Sequence, residues 1–471
     1  MSRIVLAILS LFLVRFAVAD RTAGVTAEKP NVIIIFADDQ GYGDLSCFGS
    51  TLVETPHIDR MAEEGRRLTN FMVASPVCTP SRAALLTGSY PKRIGLAQGV
   101  LFPGSERGLH PGEHTIADHL KAQGYVTACF GKWHLGDHPE TLPRQHGFDV
   151  YFGIPYSNDM NHPDNKNKPR GGHSGMDALW SDPESTLSKW NTPLIENETI
   201  VELPADQRTI TRRYTDSAID FICENQDQPF FVYLPHSMPH IPLYVPDEVY
   251  GADPTKAYKL VIEHIDAEVG RLLDSLRELD LDEETIVIYT SDNGPWLSYK
   301  HHGGSAGTLR DGKGTTFEGG MRVPCIVWGP SRIPAGVVCD ELVTTLDLLP
   351  TITALTGVEL PADRTIDGLD ASALLTGAES VSPRREFLYY SRGGLIEGIR
   401  VDQWKLLVKP RGGRKAAKQE PVVMLFDLEK DPGERRELSA ANPEVVESLQ
   451  ARMAELDAEI AQNKRAAWGK E

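Results

Sequence analysis

Four stretches of the chain are short apolar runs, at residues 31–36 (Asn-Val-Ile-Ile-Ile-Phe), 125–130, 229–234 and 285–290. Runs that are apolar at consecutive positions mark strands buried on both faces, as in a parallel sheet. Between them the apolar spacing turns helical. Residues 114–124 read as a helix stopped by Gly124, and 209–225 as another. Residues 255–279 carry Val261, Ile265, Val269, Leu272, Leu276 and Leu279 on one face. The pattern predicts an α/β protein.

Beyond about Gly377 the pattern shortens. Residues 387–390, 398–401, 404–408 and 425–428 read as strands at hairpin-like spacing. Val446, Leu449, Met453, Leu456 and Ile460 then mark a closing helix. The expected division is a large domain over 20–376 and a smaller C-terminal antiparallel sheet plus helix over 377–471. Residues 155–205, rich in Asn, Pro, Gly and Asp, lack either period and are read as loops rimming a pocket. At the start, Arg3, the apolar run 4–14 and Ala17-Val18-Ala19 form a secretory signal over residues 1–19. That run is too short for a membrane span, so the expected protein is exported, periplasmic or secreted (lysosomal or extracellular in a eukaryote).

Charge narrows the partners. Removing residues 1–19 takes away Arg3 and Arg15 and no acid, so the formal charge goes from −18 to −20. Such a surface argues against nucleic acid and repels polyanions at long range, so an anionic ligand needs a local basic pocket. The six cysteines show no zinc spacing, and their pairing cannot be read.

The candidate chemistry gathers at predicted strand ends, where open α/β sheets bind ligands. Asp38 and Asp39 follow the first run, and their mutual repulsion would be relieved by a hard cation. Asp292 and Asn293 follow the 285–290 run and complete an all-oxygen set suited to Ca²⁺ or Mg²⁺, with Ca²⁺ the more tolerant of irregular cages. Lys132 and His134, two apart after the 125–130 run, point the same way if the chain is extended. His236 and His240 follow the 229–234 run. Lys313 lies in a glycine-rich segment that lacks the Walker spacing. Cys78 precedes a predicted helix start, with Thr79 as N-cap and Pro80 at the first helical position. Arg82 brings a permanent cation to the same place.

Cys78-x-Pro80-Ser81-Arg82, followed by a small-residue helix ending Leu86-Thr87-Gly88, resembles the signature of the type I, formylglycine-dependent sulfatases. Asp38-Asp39-x-Gly41-x-Gly43-Asp44, Gly131-Lys132-Trp133-His134 and Gly312-Lys313-Gly314-x-x-x-Glu318-Gly319-Gly320 are similar to further motifs of that family, in family order. The last leans toward the arylsulfatase A and N-acetylgalactosamine-6-sulfatase branch. The resemblance runs from about residue 31 to 438 and takes in the Asp431-Pro432-x-Glu434 turn. It implies an α/β/α domain of alkaline-phosphatase superfamily type with a smaller C-terminal α+β subdomain. It implies that a sulfatase-maturing enzyme oxidises Cys78 to formylglycine, whose hydrate attacks sulfur and contributes an oxygen to the metal. Ca²⁺ would rest on Asp38, Asp39, Asp292 and Asn293. Lys132 and Lys313 would neutralise the sulfate, Arg82 hold the hydrate, His240 protonate the leaving alcohol and His134 expel the sulfate. The implied substrate is a sulfated carbohydrate or an aryl sulfate. Two alternatives remain open: a formylglycine-dependent phosphonate or phosphodiester hydrolase, and a non-catalytic sulfated-glycan-binding protein with Cys78 unmatured. A cysteine-thiolate phosphatase fits worse, since no phosphate-cradling glycines lie between Cys78 and Arg82.

Overall fold

The computed structural model describes residues 29–162, 175–184, 189–360, 362–410 and 420–469. The predicted signal at 1–19 lies outside the described residues, as do 163–174 and 185–188 of the predicted rim.

Five parallel strands form the centre of the molecule, in the order Thr285–Ser291, Asn31–Ala37, Phe230–Pro235, Val126–Phe130 and Val150–Gly153. All seven residues of Asn31–Ala37 are buried, as its unbroken apolar sequence requires. Its side chains alternate between two cores. Val32, Ile34 and Phe36 join one that includes the helices Cys78–Thr87, Ile116–Lys121 and Leu348–Thr356. Ile33 and Ile35 join the other, with Pro56–Glu63, Ile210–Glu224 and Ala257–Glu278. The result is the expected three-layer α/β/α sandwich. Antiparallel strands extend it on both sides, Arg322–Trp328 and Arg66–Met72 beyond one edge, Leu194–Glu196 and Thr199–Glu202 beyond the other.

That last hairpin corrects the reading of 155–205 as loops. Its strands span three and four residues, and Thr199–Glu202 is largely exposed, so no apolar run announces them. The turn itself is compact, with Asn197 at φ 54°.

The helix after Val77 begins at Cys78, earlier than predicted, and Thr79 does not cap it. The Thr79 hydroxyl instead accepts from the Leu101 N–H at 3.1 Å. All ten residues of this helix are buried, which accounts for its small side chains at Ala83 and Ala84. Gly88 ends it at φ 60°.

The strands Glu386–Tyr390, Ile396–Val401, Trp404–Lys409 and Val422–Asp427 form a separate antiparallel sheet. The helix Pro443–Gln462 follows, and its Leu449 and Ile460 share a core with Tyr389, Leu406 and Leu425. This core is continuous with the one beneath Val32, Ile34 and Phe36, so the two sheets are welded. The six cysteines are all free thiols.

Candidate active site

Each of the five parallel strands delivers polar residues just past its C-terminal end, and the segments meet. Asp38 and Asp39 follow Asn31–Ala37, and Asp292 and Asn293 follow Thr285–Ser291. Lys132 and His134 follow Val126–Phe130, His240 comes after Phe230–Pro235, and Ser157 and Asn158 follow Val150–Gly153. The N-terminus of the Cys78–Thr87 helix faces them. Lys313 arrives from the glycine-rich segment.

Three carboxylates and three cations interlock here, nearly all out of water. Ligand atoms of Asp38, Asp39, Asp292 and Cys78 lie within 4.8 Å of one another. Arg82 donates from Nε and Nη2 to Asp292 Oδ2 at 3.1 and 2.8 Å, and its Nη2 is 3.4 Å from Asp38 Oδ1. Lys132 Nζ donates to Asp38 Oδ2 at 2.5 Å and to the Ser157 hydroxyl at 3.1 Å. Lys313 Nζ donates to Asp39 Oδ2 at 2.7 Å and lies 3.6 Å from Cys78 Sγ. Burial raises the pKa of Asp39 and of Asp292, and each is raised further by a neighbouring carboxylate, Asp292 and Asp38 respectively.

The donor set fits a hard divalent cation. Asn293 Nδ2 donates to Asp39 Oδ1 at 2.8 Å, which turns the amide so that its buried Oδ1 has no hydrogen-bond partner. An orphaned amide oxygen beside three buried carboxylates is a grouping that a Ca²⁺-type ion would satisfy. With the cation bound, Lys132 and Lys313 would no longer be needed by the carboxylates, leaving positive charge for an anion.

Cys78 forms part of the wall of a cavity of about 510 Å³, together with His134, His240, Lys313, Ser157 and Trp296. Burial pushes its thiol pKa far up, and Lys132 and Lys313 do not overcome this. The encoded cysteine is therefore a protonated thiol and a poor nucleophile.

The two histidines are held differently. His134 sits at φ 60°, so the chain is not extended there as the spacing argument required. Its Nε2 donates to the Leu101 carbonyl at 2.9 Å and its Nδ1 has no partner, which leaves Nδ1 as the basic nitrogen. Burial, with Lys132 and Arg82 nearby, holds its pKa well below the ordinary range. His240 Nδ1 faces Asn158 Oδ1 at 3.0 Å and the Ile241 carbonyl at 2.6 Å, so Nδ1 carries the proton against the carbonyl. Its Nε2 faces Ser157 Oγ at 3.3 Å and Asp39 Oδ2 at 3.7 Å. Burial and then Lys313 depress its pKa as well. His236 is buried, both its nitrogens lack partners, and burial lowers its pKa to about 3.

All ten predicted site residues converge on this one region. Residues 30–358 match the family model described as Sulfatase, and residues 311–459 match that described as N-sulphoglucosamine sulphohydrolase, C-terminal. The chain belongs to the sulfatase family. Arylsulfatase A of Homo sapiens is 38% identical over 465 residues, covering 92% of this chain and 89% of its own length. N-acetylgalactosamine-6-sulfatase of Canis lupus familiaris is 36% identical over 464 residues, covering 90% of this chain and 85% of its own. Among solved structures, Ps i-CgsB in complex with k-i-k-neocarrahexaose is similar at TM-score 0.78 and 31% identity, over 94% of this chain and 95% of that one.

As a sulfatase, the chain is a sulfuric ester hydrolase, and its fold is that of the alkaline-phosphatase superfamily. The sequence reading missed two residues of this sulfatase site, Ser157 and Asn158, which hold Lys132 and His240. Their signal was the rule that worked elsewhere, a polar cluster after a strand end. It went unused because the four-residue strand Val150–Gly153 carries no apolar run long enough to be read.

Proposed function

We propose that this sulfatase hydrolyses sulfate esters of carbohydrates, with Cys78 matured to formylglycine and Ca²⁺ on Asp38, Asp39, Asp292 and Asn293. The observation that carries the reading is Cys78 itself. An inert buried thiol, 3.6 Å from both Asp38 Oδ1 and Lys313 Nζ, stands where a nucleophile is wanted.

Formylglycine supplies a hydrate with two hydroxyls, one to attack sulfur and one through which sulfate is later expelled. A cation on the four oxygen ligands supplies Lewis-acid polarisation of the sulfate oxygens. The chain's own groups do the rest. Lys132 and Lys313 compensate charge on the sulfuryl oxygens, and Arg82 fixes Asp292 and the Lys132 carbonyl, to which its Nη1 donates at 3.0 Å. His240 delivers a proton to the leaving alcohol from Nε2. Its depressed pKa makes it neutral in the free site, so the negative charge of the bound ester is needed to load that proton. His134, with Nδ1 unprotonated, takes the proton that accompanies sulfate release. Asn158 and the Ile241 carbonyl orient the His240 ring, and Ser157 ties it to Lys132.

The protein is read as exported and met by a maturing enzyme before or during export; no helix among the described residues is long and apolar enough to cross a membrane. The test compares an aryl sulfate with an aryl phosphate diester, then follows sulfate release across a panel of sulfated oligosaccharides. Matured protein should release sulfate from the aryl ester and from at least one oligosaccharide. Faster cleavage of the phosphate diester would favour the phosphodiesterase alternative. Saturable glycan binding without sulfate release would favour the binding protein.

A further inference from the structure

A further group of metal-ligating side chains lies among the described residues and shares no member with the catalytic cluster. Ligand atoms of Asp177, His301 and His302 lie within 4.8 Å of one another. His301 Nε2 and His302 Nε2 donate to one and the same oxygen, Asp177 Oδ1, at 2.7 and 2.8 Å.

Two separate segments build this group. Asp177 belongs to the helix Met176–Ser181, which is anchored through Trp180. The Trp180 Nε1 donates to the Gly251 carbonyl at 2.7 Å, and the Trp180 carbonyl accepts from the Tyr250 hydroxyl at 3.0 Å. The histidines end the 3₁₀ segment Leu297–His302. Consecutive helical side chains do not face each other, but the chain turns at Lys300 (φ 56°) and the two rings come to 4.6 Å between centroids.

Two imidazoles and one carboxylate are the donor set of a borderline transition metal, in contrast to the all-oxygen set around Asp38. A tetrahedral ion with bonds of about 2.0–2.1 Å holds its ligand atoms roughly 3.3 Å apart, so the nitrogens and Asp177 Oδ1 need to part by about half an ångström. The Asp177 side chain is 59% exposed and has room for that shift, while His302, 3% exposed, fixes the inner position. A fourth position is left to water. Each neutral ring would move its proton from Nε2 to Nδ1, with none lost.

The location gives such an ion something to join. Trp296, which lines the catalytic cavity, directly precedes the histidine segment and meets Tyr299 edge-on at 4.7 Å between centroids. Gly303 folds the segment back on itself. Its N–H donates to the Lys300 carbonyl at 3.0 Å, and a Cβ there would lie 2.1 Å from the Trp296 carbonyl oxygen.

We propose that Asp177, His301 and His302 form a Zn²⁺ site that fastens the 176–181 helix to the segment following Trp296. The site goes beyond the sulfatase reading and stands or falls without it.

The test is a calorimetric titration of Zn²⁺ into untagged full-length protein, held in excess Ca²⁺ to protect the oxygen-donor cluster. One saturable site per chain is expected, and Co²⁺ in its place should give the visible bands of a four-coordinate ion. Asp177→Asn and His301→Ala, both at exposed positions, should each weaken Zn²⁺ binding about tenfold or more, and Asp292→Asn should leave it unchanged. In hydrogen exchange, Zn²⁺ should slow the amides of 176–181 and 297–303 in wild type and not in His301→Ala. Absence of saturable binding, binding that survives both variants, or binding lost with Asp292→Asn would overturn the site. Binding without the change in exchange would overturn the fastening.

Discussion

Two of the clusters of buried charge among the described residues differ in what they open on. In the first, Asp38, Asp39 and Asp292 face Arg82, Lys132 and Lys313, an amide oxygen of Asn293 has no partner, and the group opens on a cavity. In the second, Lys405 Nζ lies 2.8 Å from both Glu318 Oε1 and Glu434 Oε1, all three buried. The Tyr389 hydroxyl donates to Glu318 at 3.1 Å, and Glu434 accepts from the Glu318 N–H at 2.7 Å. Burial pushes Glu318 up, but Lys405 and two arginines outweigh it and its pKa ends low. Burial pushes Glu434 up, and with Glu318 beside it the pKa stays raised. The second cluster is a clasp that fastens the Lys313 segment to the C-terminal sheet. Neither buried charge nor an unsatisfied oxygen marks a site by itself, since Glu318 Oε2 also lacks a hydrogen bond; the open cavity beside the first cluster is what separates them.

The largest contrast is predicted from one substitution in each cluster. Asp292→Asn keeps an oxygen against Arg82, which also retains Asp38 at 3.4 Å, and removes a charge from the proposed cation site, so turnover should fall to background with a stability loss smaller than that of Lys405→Met. Lys405→Met leaves two buried glutamates unpaired and should destabilise by about 3–5 kcal/mol, with the specific activity of the folded fraction kept within a few-fold. Urea unfolding beside aryl sulfate turnover reads both. The opposite assignment of losses would erase the distinction.

Within the catalytic cluster, Lys132→Ala and Lys313→Ala should each cost roughly 2.7–4 kcal/mol of transition-state stabilisation, on the scale of oxyanion donors, seen as a fall in kcat. Arginine at either position should restore only part, because a planar fork does not replace a compact ammonium. Near-normal kcat in both alanine variants would move the sulfate elsewhere.

A third kind of buried ionisable group stays neutral. Burial lowers His146 and His236 to about 3, below the unfolded value near 6.5. As pH falls below that value, the unfolded chain takes up protons that the folded chain does not, so stability is lost on acidification. The slope from each should approach about 1.4 kcal/mol per pH unit between the two values. Denaturant titrations from pH 7 to 4 would show it, and a flat profile would contradict the neutral assignment. The smallest effect should be Ser157→Ala, which removes one hydroxyl between Lys132 and His240 and should cost roughly 1 kcal/mol in kcat/KM.

The central strands were legible because strands buried on both faces must be apolar at every position, as Val32 to Phe36 are. The site was legible for the same reason, since polar residues such as Asp38-Asp39 and Asp292-Asn293 stand out directly after such runs. What escaped notice had weaker local signals. Ser157 and Asn158 follow a strand of four residues, and the 194–202 hairpin has an exposed outer strand. The Cys78 helix begins earlier than its best capping residue because Thr79 is engaged by Leu101, a contact 22 positions away that no local rule contains. Arg392 reaches the catalytic cavity from the C-terminal sheet, a placement set wholly by how the two sheets pack.

The most direct test of the account is the chemical state of Cys78 in active protein. The peptide containing Cys78 should be lighter by the difference between CH₂SH and CHO, and should react with a hydrazide probe. Across preparations, specific activity should rise in proportion to the reactive fraction. Full activity in protein whose Cys78 is found only as the unmodified thiol would contradict the mechanism.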